Sequence, residues 1–122
     1  MKTKMCAVWV PDYTPPSLNV LLGQGWQSRD KYKREAYVFV QKYVKGLGPF
    51  PQLKSLSYEF FFDNKIKRDN DNYCAKYLTD ALRYNNVILA DDSKATGPTT
   101  LYINPNNKDK KKGTMIKMEV YL

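Results

Sequence analysis

Asp69 and Asp71 stand two positions apart in the run Lys67-Arg68-Asp69-Asn70-Asp71-Asn72, and Asp91 and Asp92 are adjacent further along the chain. If the backbone is extended through the first run, both carboxylates point to the same side. One hard cation can then be gripped by both, with water and a phosphate oxygen completing its shell. Asp91 or Asp92 can add a third carboxylate when the intervening helix folds that loop back. Acids gathered this way raise one another's pKa and are costly without a cation. The chemistry they suit is metal-assisted phosphodiester hydrolysis, in which the metal activates a water and polarises the phosphate. Lys76 lies one helical turn before Asp80. Its ammonium can stabilise charge developing on a phosphate, or simply pair with Asp80 at i,i+4.

Composition narrows the class. The 122-residue chain carries a formal net charge of +8, so the acids form a knot within a Lys-rich background. A basic excess in a small domain favours a polyanionic partner, usually nucleic acid. The sequence contains no histidine, which excludes His-based nuclease sites, Ser-His-Asp triads and His-ligated zinc. Its two cysteines, Cys6 and Cys74, are far apart and outside any Cys-x-x-Cys arrangement. They read as reduced, packed thiols, so a metal here is oxygen-bound, magnesium or manganese. No apolar run approaches bilayer-spanning length. The N-terminal apolar stretch is short and ends at Pro11-Asp12, a poor secretion signal, which places the protein in the cytoplasm.

The elements that must position these residues follow from periodicity and breakers. Met5 to Val10 reads as a strand ending at Pro11. Thr14 to Asp30 reads as a loop broken by Pro15-Pro16, Gly23 and Gly25. Ser28 or Asp30 caps a helix to about Lys45, with Tyr32, Ala36, Phe39, Val40 and Tyr43 on its apolar face. Leu56 to Phe62 is an aromatic-rich strand. A second helix runs from Tyr73 to about Tyr84, capped by Asp71 or Asn72, and buries Cys74, Tyr77, Leu78, Ala81 and Leu82. Thr99 to Asn104 and Thr114 to Leu122 are strands joined by a polar hairpin connection. The expectation is one α+β domain over 1–122, in the order β-α-β-α-β-β, its mixed sheet covered by helices on one face. Each acidic piece also has an ordinary explanation. Asp69-Asn-Asp-Asn is a turn and capping sequence, and Asp91-Asp92-Ser93 an unremarkable loop.

Taken in order, the pieces form a pattern. Asp-x-Asp-Asn, then Lys76, then Asp80-Ala81-Leu82, then an apolar segment ending in Asp91-Asp92-Ser93, resembles the RusA family of Holliday junction resolvases, common in bacteriophages and prophages. Pro15-Pro16-Ser17-Leu18-Asn19 is similar to the family's early Pro-Ser-x-Asn motif, and Leu21-Leu22 with Trp26 to a phage branch of it. The likeness spans nearly the whole chain. It implies a homodimeric α/β nuclease that binds four-way DNA junctions and cuts two opposing strands symmetrically, using magnesium or manganese. By motif, Asp69 and Asp71 match the first two metal-binding acids and Asp92 the third, with Asp91 beside it. Lys76 matches the essential lysine. Three residues separate Asn72 from Lys76 where the family has two, and the extra residue is placed at the helix start. Asn85-Asn86 stand where the family commonly has glycine, and Asn tolerates the left-handed conformation.

Candidate DNA contacts lie around the acids and in two outlying segments. Lys67, Arg68 and Lys94 flank the acidic runs. Asn19, Trp26 and Arg29 fall in the long segment after Pro15, and Lys108, Lys110, Lys111 and Lys112 form the densest basic cluster. Such a cluster is either solvated surface or a track for a phosphate backbone. Two other functions remain open on these residues: a non-catalytic basic nucleic-acid-binding protein, and a metal-dependent nuclease acting on flaps, forks or RNA.

Overall fold

The computed structural model describes residues 2–23, 26–64, 66–105 and 111–122, with 26–28 as backbone only. Strand β1 (Thr3–Pro11) is followed by a short helix α1 (Leu18–Leu22) and the long helix α2 (Trp26–Val44). Strand β2 (Leu53–Phe61) leads through a 3-10 turn (Asn70–Asn72) into α3 (Lys76–Tyr84). A one-turn helix α4 (Ser93–Thr96), β3 (Thr99–Ile103) and β4 (Gly113–Tyr121) complete the described chain. The α+β class holds. Helices α1 and α4 are additions to the expected order, and α1 occupies a segment expected to be loop. Ser17 explains α1: its hydroxyl accepts from the Val20 amide, a standard N-cap that the preceding prolines leave free to act.

The sheet order is β1-β4-β2-β3. Strand β4 pairs antiparallel with both β1 and β2, while β3 pairs parallel with β2. The expected β3–β4 hairpin is therefore replaced by a connection that spans β2. Burial explains the choice. In β4, Thr114, Ile116, Met118 and Val120 are all buried, so this strand belongs at the centre, whereas both of the leading threonines of β3 are exposed and suit an edge. Alternation along β2 and β4 turns Leu56, Tyr58, Phe60, Ile116 and Met118 toward the helices. The opposite face carries Ser55, Ser57, Glu59, Lys117 and Glu119 and is half-exposed.

Helix α2 buries Ala36, Val40 and Val44, a one-sided stripe at four-residue spacing. Tyr43, expected on that face, is 42% exposed because Val44 takes the core position. Helix α3 buries Leu78, Ala81 and Leu82 against the sheet. A buried hydrogen bond of 2.8 Å between the Tyr58 and Thr79 hydroxyls ties α3 to β2. After α3 the chain turns through Asn86, whose φ of 60° is left-handed, as the Asn85-Asn86 pair leads one to expect. Gly97 (φ +65°) lets the end of α4 pass so close to β2 that a Cβ would collide with the Lys54 carbonyl. Both cysteines are free. Among the described residues, no helix is long and apolar enough to cross a membrane.

Candidate active site

Asp69 and Asp71 share one cavity, but a turn brings them there rather than a strand. Asp69 is extended (φ −95°, ψ 134°), and Asp71 sits inside the 3-10 turn. The turn is closed by the Asn72 amide donating to the Asp69 carbonyl at 3.0 Å. It is anchored at both ends. The Asn70 side-chain oxygen accepts from the Ile103 amide at the end of β3, at 3.0 Å. Tyr73 is buried and packs its ring against Phe60 and Phe62 at centroid distances of 6.3 and 5.5 Å. A turn fixed by β2 and β3 holds its carboxylates on a rigid base, which a binding site requires.

The cavity has a volume of about 540 Å³ and is lined by Asn19, Asp69, Asn70, Asp71 and Asn72. Asn19 arrives from α1, far away in sequence, and its inclusion is a product of the fold. The ordinary reading of Asp69-Asn-Asp-Asn as a turn is met, but its capping role is not: the helix expected from Tyr73 starts at Lys76, so neither Asp71 nor Asn72 is its N-cap. Asp69 makes no side-chain capping hydrogen bond, and α3 begins at Lys76 with Ala75 as an N-cap that likewise makes none. Residues 73–75 lie between the turn and the helix.

Asp92 has a different post. It is the N-cap of α4, its Oδ1 accepting from the Ala95 amide at 2.9 Å, which is the ordinary structural role open to an Asp at that position. Asp91 is exposed and lies 3.8 Å from the Arg83 guanidinium, a surface ion pair of little energetic weight. Among the described residues, no group of three or more acidic or thiol side chains is close enough together to hold a metal ion. The structure thus unites Asp69 and Asp71, and leaves Asp91 and Asp92 on the loop before α4.

Lys76 is exposed at the start of α3 and does not line the cavity. Its charge acts on Asp80, the i,i+4 partner. Asp80 itself is the residue that sequence spacing undervalues. It is only 8% exposed, and its pKa is raised, first by burial, then by a hydrogen bond to Asp91 and by that residue's charge. Lys33 from α2 and Lys76 work in the opposite direction. Asp80 lies three residues after Tyr77, at the edge of the α3 stripe, and that placement is the one signal of its burial in the sequence.

The candidate DNA contacts divide. Lys67 and Lys94 are exposed and adjoin the acids in sequence, and Lys111 and Lys112 are exposed on the approach to β4. Arg68 stacks its guanidinium 3.8 Å from the Phe62 ring centroid and donates to the Ile66 carbonyl, so it builds the loop next to the site. Arg29 donates through Nε to the Leu21 carbonyl at 3.4 Å, linking α2 to α1. The Trp26 side chain, Lys108 and Lys110 lie outside the described residues. No protein-family model matches the sequence, and no curated protein matches it.

Proposed function

We propose that this protein is a magnesium-dependent, structure-selective DNA endonuclease of the RusA type, resolving four-way junctions as a homodimer in the cytoplasm of a bacterium or phage-infected cell. One observation carries most of the reading. Asn19, from the Pro-Ser-x-Asn segment, lines the same cavity as Asp69 and Asp71 from Asp-x-Asp-Asn. Two pieces of one motif series, remote in the chain, thereby face a common space.

The donor set is consistent with the cation. Two carboxylates and three carboxamides offer only hard oxygen ligands, with room for water and phosphate, which suits Mg2+, and Mn2+ as a substitute. Such a cation, when bound, supplies an activated water and a polarised phosphate. Asp69 and Asp71 hold it in this reading. Asp92, with Asp91 beside it, is the third ligand by motif alone: it lies outside the cavity of Asp69 and Asp71, and its cap leaves one carboxylate oxygen uncommitted. Asn19 orients a phosphate or water at the cavity wall, and Lys76, which lies outside that wall, is given its role on the phosphate by the motif alone. Lys67 and Lys94, with the basic stretch through Lys111 and Lys112, draw the polyanion to the site.

A non-catalytic nucleic-acid-binding protein is the second reading, favoured by the capping role of Asp92 and by the dispersal of the acids. A labelled four-way junction, a linear duplex and an RNA hairpin, each offered with Mg2+ or with EDTA, separate the two. Paired symmetric nicks on the junction alone, dependent on Mg2+, are the expected result. Binding without cleavage in any metal refutes the nuclease, and preferential cutting of another substrate refutes its junction specificity.

A further inference from the structure

A second cavity lies between α2 and α3. Its volume is about 360 Å³, and it is lined by Asp30, Lys33, Arg34 and Tyr37 of α2 and by Ala81 and Tyr84 of α3. None of these residues lines the cavity of Asp69 and Asp71. Spacing explains the lining, since residues three and four apart share one side of a helix. Ala81 is the buried member, a small floor between two helices whose longer side chains form the walls.

Lys33 carries the chemistry. It is half-buried, and its ammonium donates to the Tyr84 hydroxyl at 3.5 Å while lying 5.1 Å from the centroid of the same ring. These contacts hold the charge in the groove without neutralising it. Among the described residues, Lys33 forms no ion pair, and a cation held partly out of water without a counter-charge favours an anion. Arg34 is answered by Asp30, but that pair is exposed on both sides and therefore weak and open to exchange.

The rest of the lining selects the kind of anion. Tyr37 and Tyr84 place one aromatic side chain from each helix beside the ammonium, and a bare phosphate has no use for them. A base stacked on an aromatic ring with its phosphate on a cation is the mode in which unpaired nucleotides are held. The volume falls within the range of about 300–1,000 Å³ typical of small-ligand sites.

We propose that the groove between α2 and α3 binds a nucleotide, with its base against Tyr84 and Tyr37 and its phosphate on Lys33. The same chemistry is presented by a free mononucleotide and by one residue of an unpaired strand. The site is independent of the nuclease reading, because it uses none of the acids assigned to cleavage.

The test follows amide NMR shifts of the protein titrated with deoxyadenosine monophosphate, deoxyadenosine, inorganic phosphate and an oligo(dA) strand. The amides of Lys33, Tyr37, Ala81 and Tyr84 are expected to move. The monophosphate should bind about tenfold more tightly than deoxyadenosine or phosphate, the scale of one hydrogen bond to a charged group. Lys33→Gln should bring the monophosphate down to the affinity of deoxyadenosine. Tyr84→Leu should weaken it about tenfold through the lost stack, while Tyr84→Phe keeps it; Tyr84 is half-exposed, so both variants should fold. Tighter binding of the strand than of the monophosphate assigns the site to unpaired strands, and equal binding assigns it to free nucleotides. Amides that stay unmoved, inorganic phosphate binding as tightly as the monophosphate, or an unchanged affinity in Lys33→Gln each overturn the nucleotide site. All three leave the nuclease reading standing, since junction cleavage is measured separately.

Discussion

The carboxyl of Asp80, buried on α3, lies within hydrogen-bonding reach of Asp91 on the loop that follows the helix. Asp80 lies within α3 and Asp91 after the connection that follows it, and Lys33 acts electrostatically on Asp80 from α2. Burial and the neighbouring carboxylate both make the folded protein hold a proton on Asp80 more tightly than the unfolded chain does. The linkage sign follows. Asp80 favours folding increasingly as pH falls through its raised pKa toward the ordinary Asp value of 3.8, and that contribution is lost as pH rises. Asp80→Asn keeps a hydrogen-bond donor without the charge, and should raise the melting midpoint at pH 7–8 by a few degrees. Melting curves across pH 4–8 check this, and a lower midpoint for the variant at neutral pH would contradict it.

Asp71→Asn should preserve the turn, since the side chain is exposed and Asn suits turns as well as Asp does. Junction binding should therefore survive. Cleavage should drop by about two to three orders of magnitude, the usual scale for losing one key electrostatic group at a reacting phosphate or carbonyl. Single-turnover cleavage alongside gel-shift affinity measures both, and a variant that cuts at the wild-type rate removes Asp71 from the site.

Asp92 offers a cleaner separation of structure from chemistry. Asn caps helices about as well as Asp, while Ala does not. Asp92→Asn is expected to leave stability unchanged, and Asp92→Ala to cost about 1 kcal/mol through loss of the Ala95 cap. If Asp92 also holds the cation, both variants lose Mg2+-dependent cutting alike. Equal cutting by Asp92→Asn and wild type would confine Asp92 to its capping role.

The exposed lysines beside the acids should act through salt. Replacing Lys67 and Lys94 together by Ala should weaken DNA binding for all sequences. It should also flatten the slope of log K against log salt by about 2, roughly one phosphate contact each. Titrations over a range of NaCl concentrations read the slope directly, and an unchanged slope excludes both residues from the contact.

Much of the fold and of the donor chemistry is legible in the sequence. The absence of histidine and the oxygen-only character of the acids restrict the chemistry, because ligand type is a property of residue identity. The α2 stripe at Ala36 and Val40, the α3 stripe at Leu78, Ala81 and Leu82, and the left-handed turn at Asn86 follow from local periodicity and backbone preference. Short elements escaped. Helices α1 and α4 have too few residues to show an apolar period, and only their caps, Ser17 and Asp92, mark them.

Strand order and cavity membership were decided at another level. Alternation shows which face of β4 is apolar but not which strands adjoin it. Its central place between β1 and β2 depends on burying that face along its full length. The meeting of Asn19 with Asp69 and Asp71, and the burial of Asp80 against Asp91, are likewise contacts between segments that no local pattern links. The sequence by itself determined the donor chemistry and most of the long elements, since both reside in residue type and spacing. Only the tertiary structure decided which donors share a space, because that depends on how the sheet and the helices close on one core.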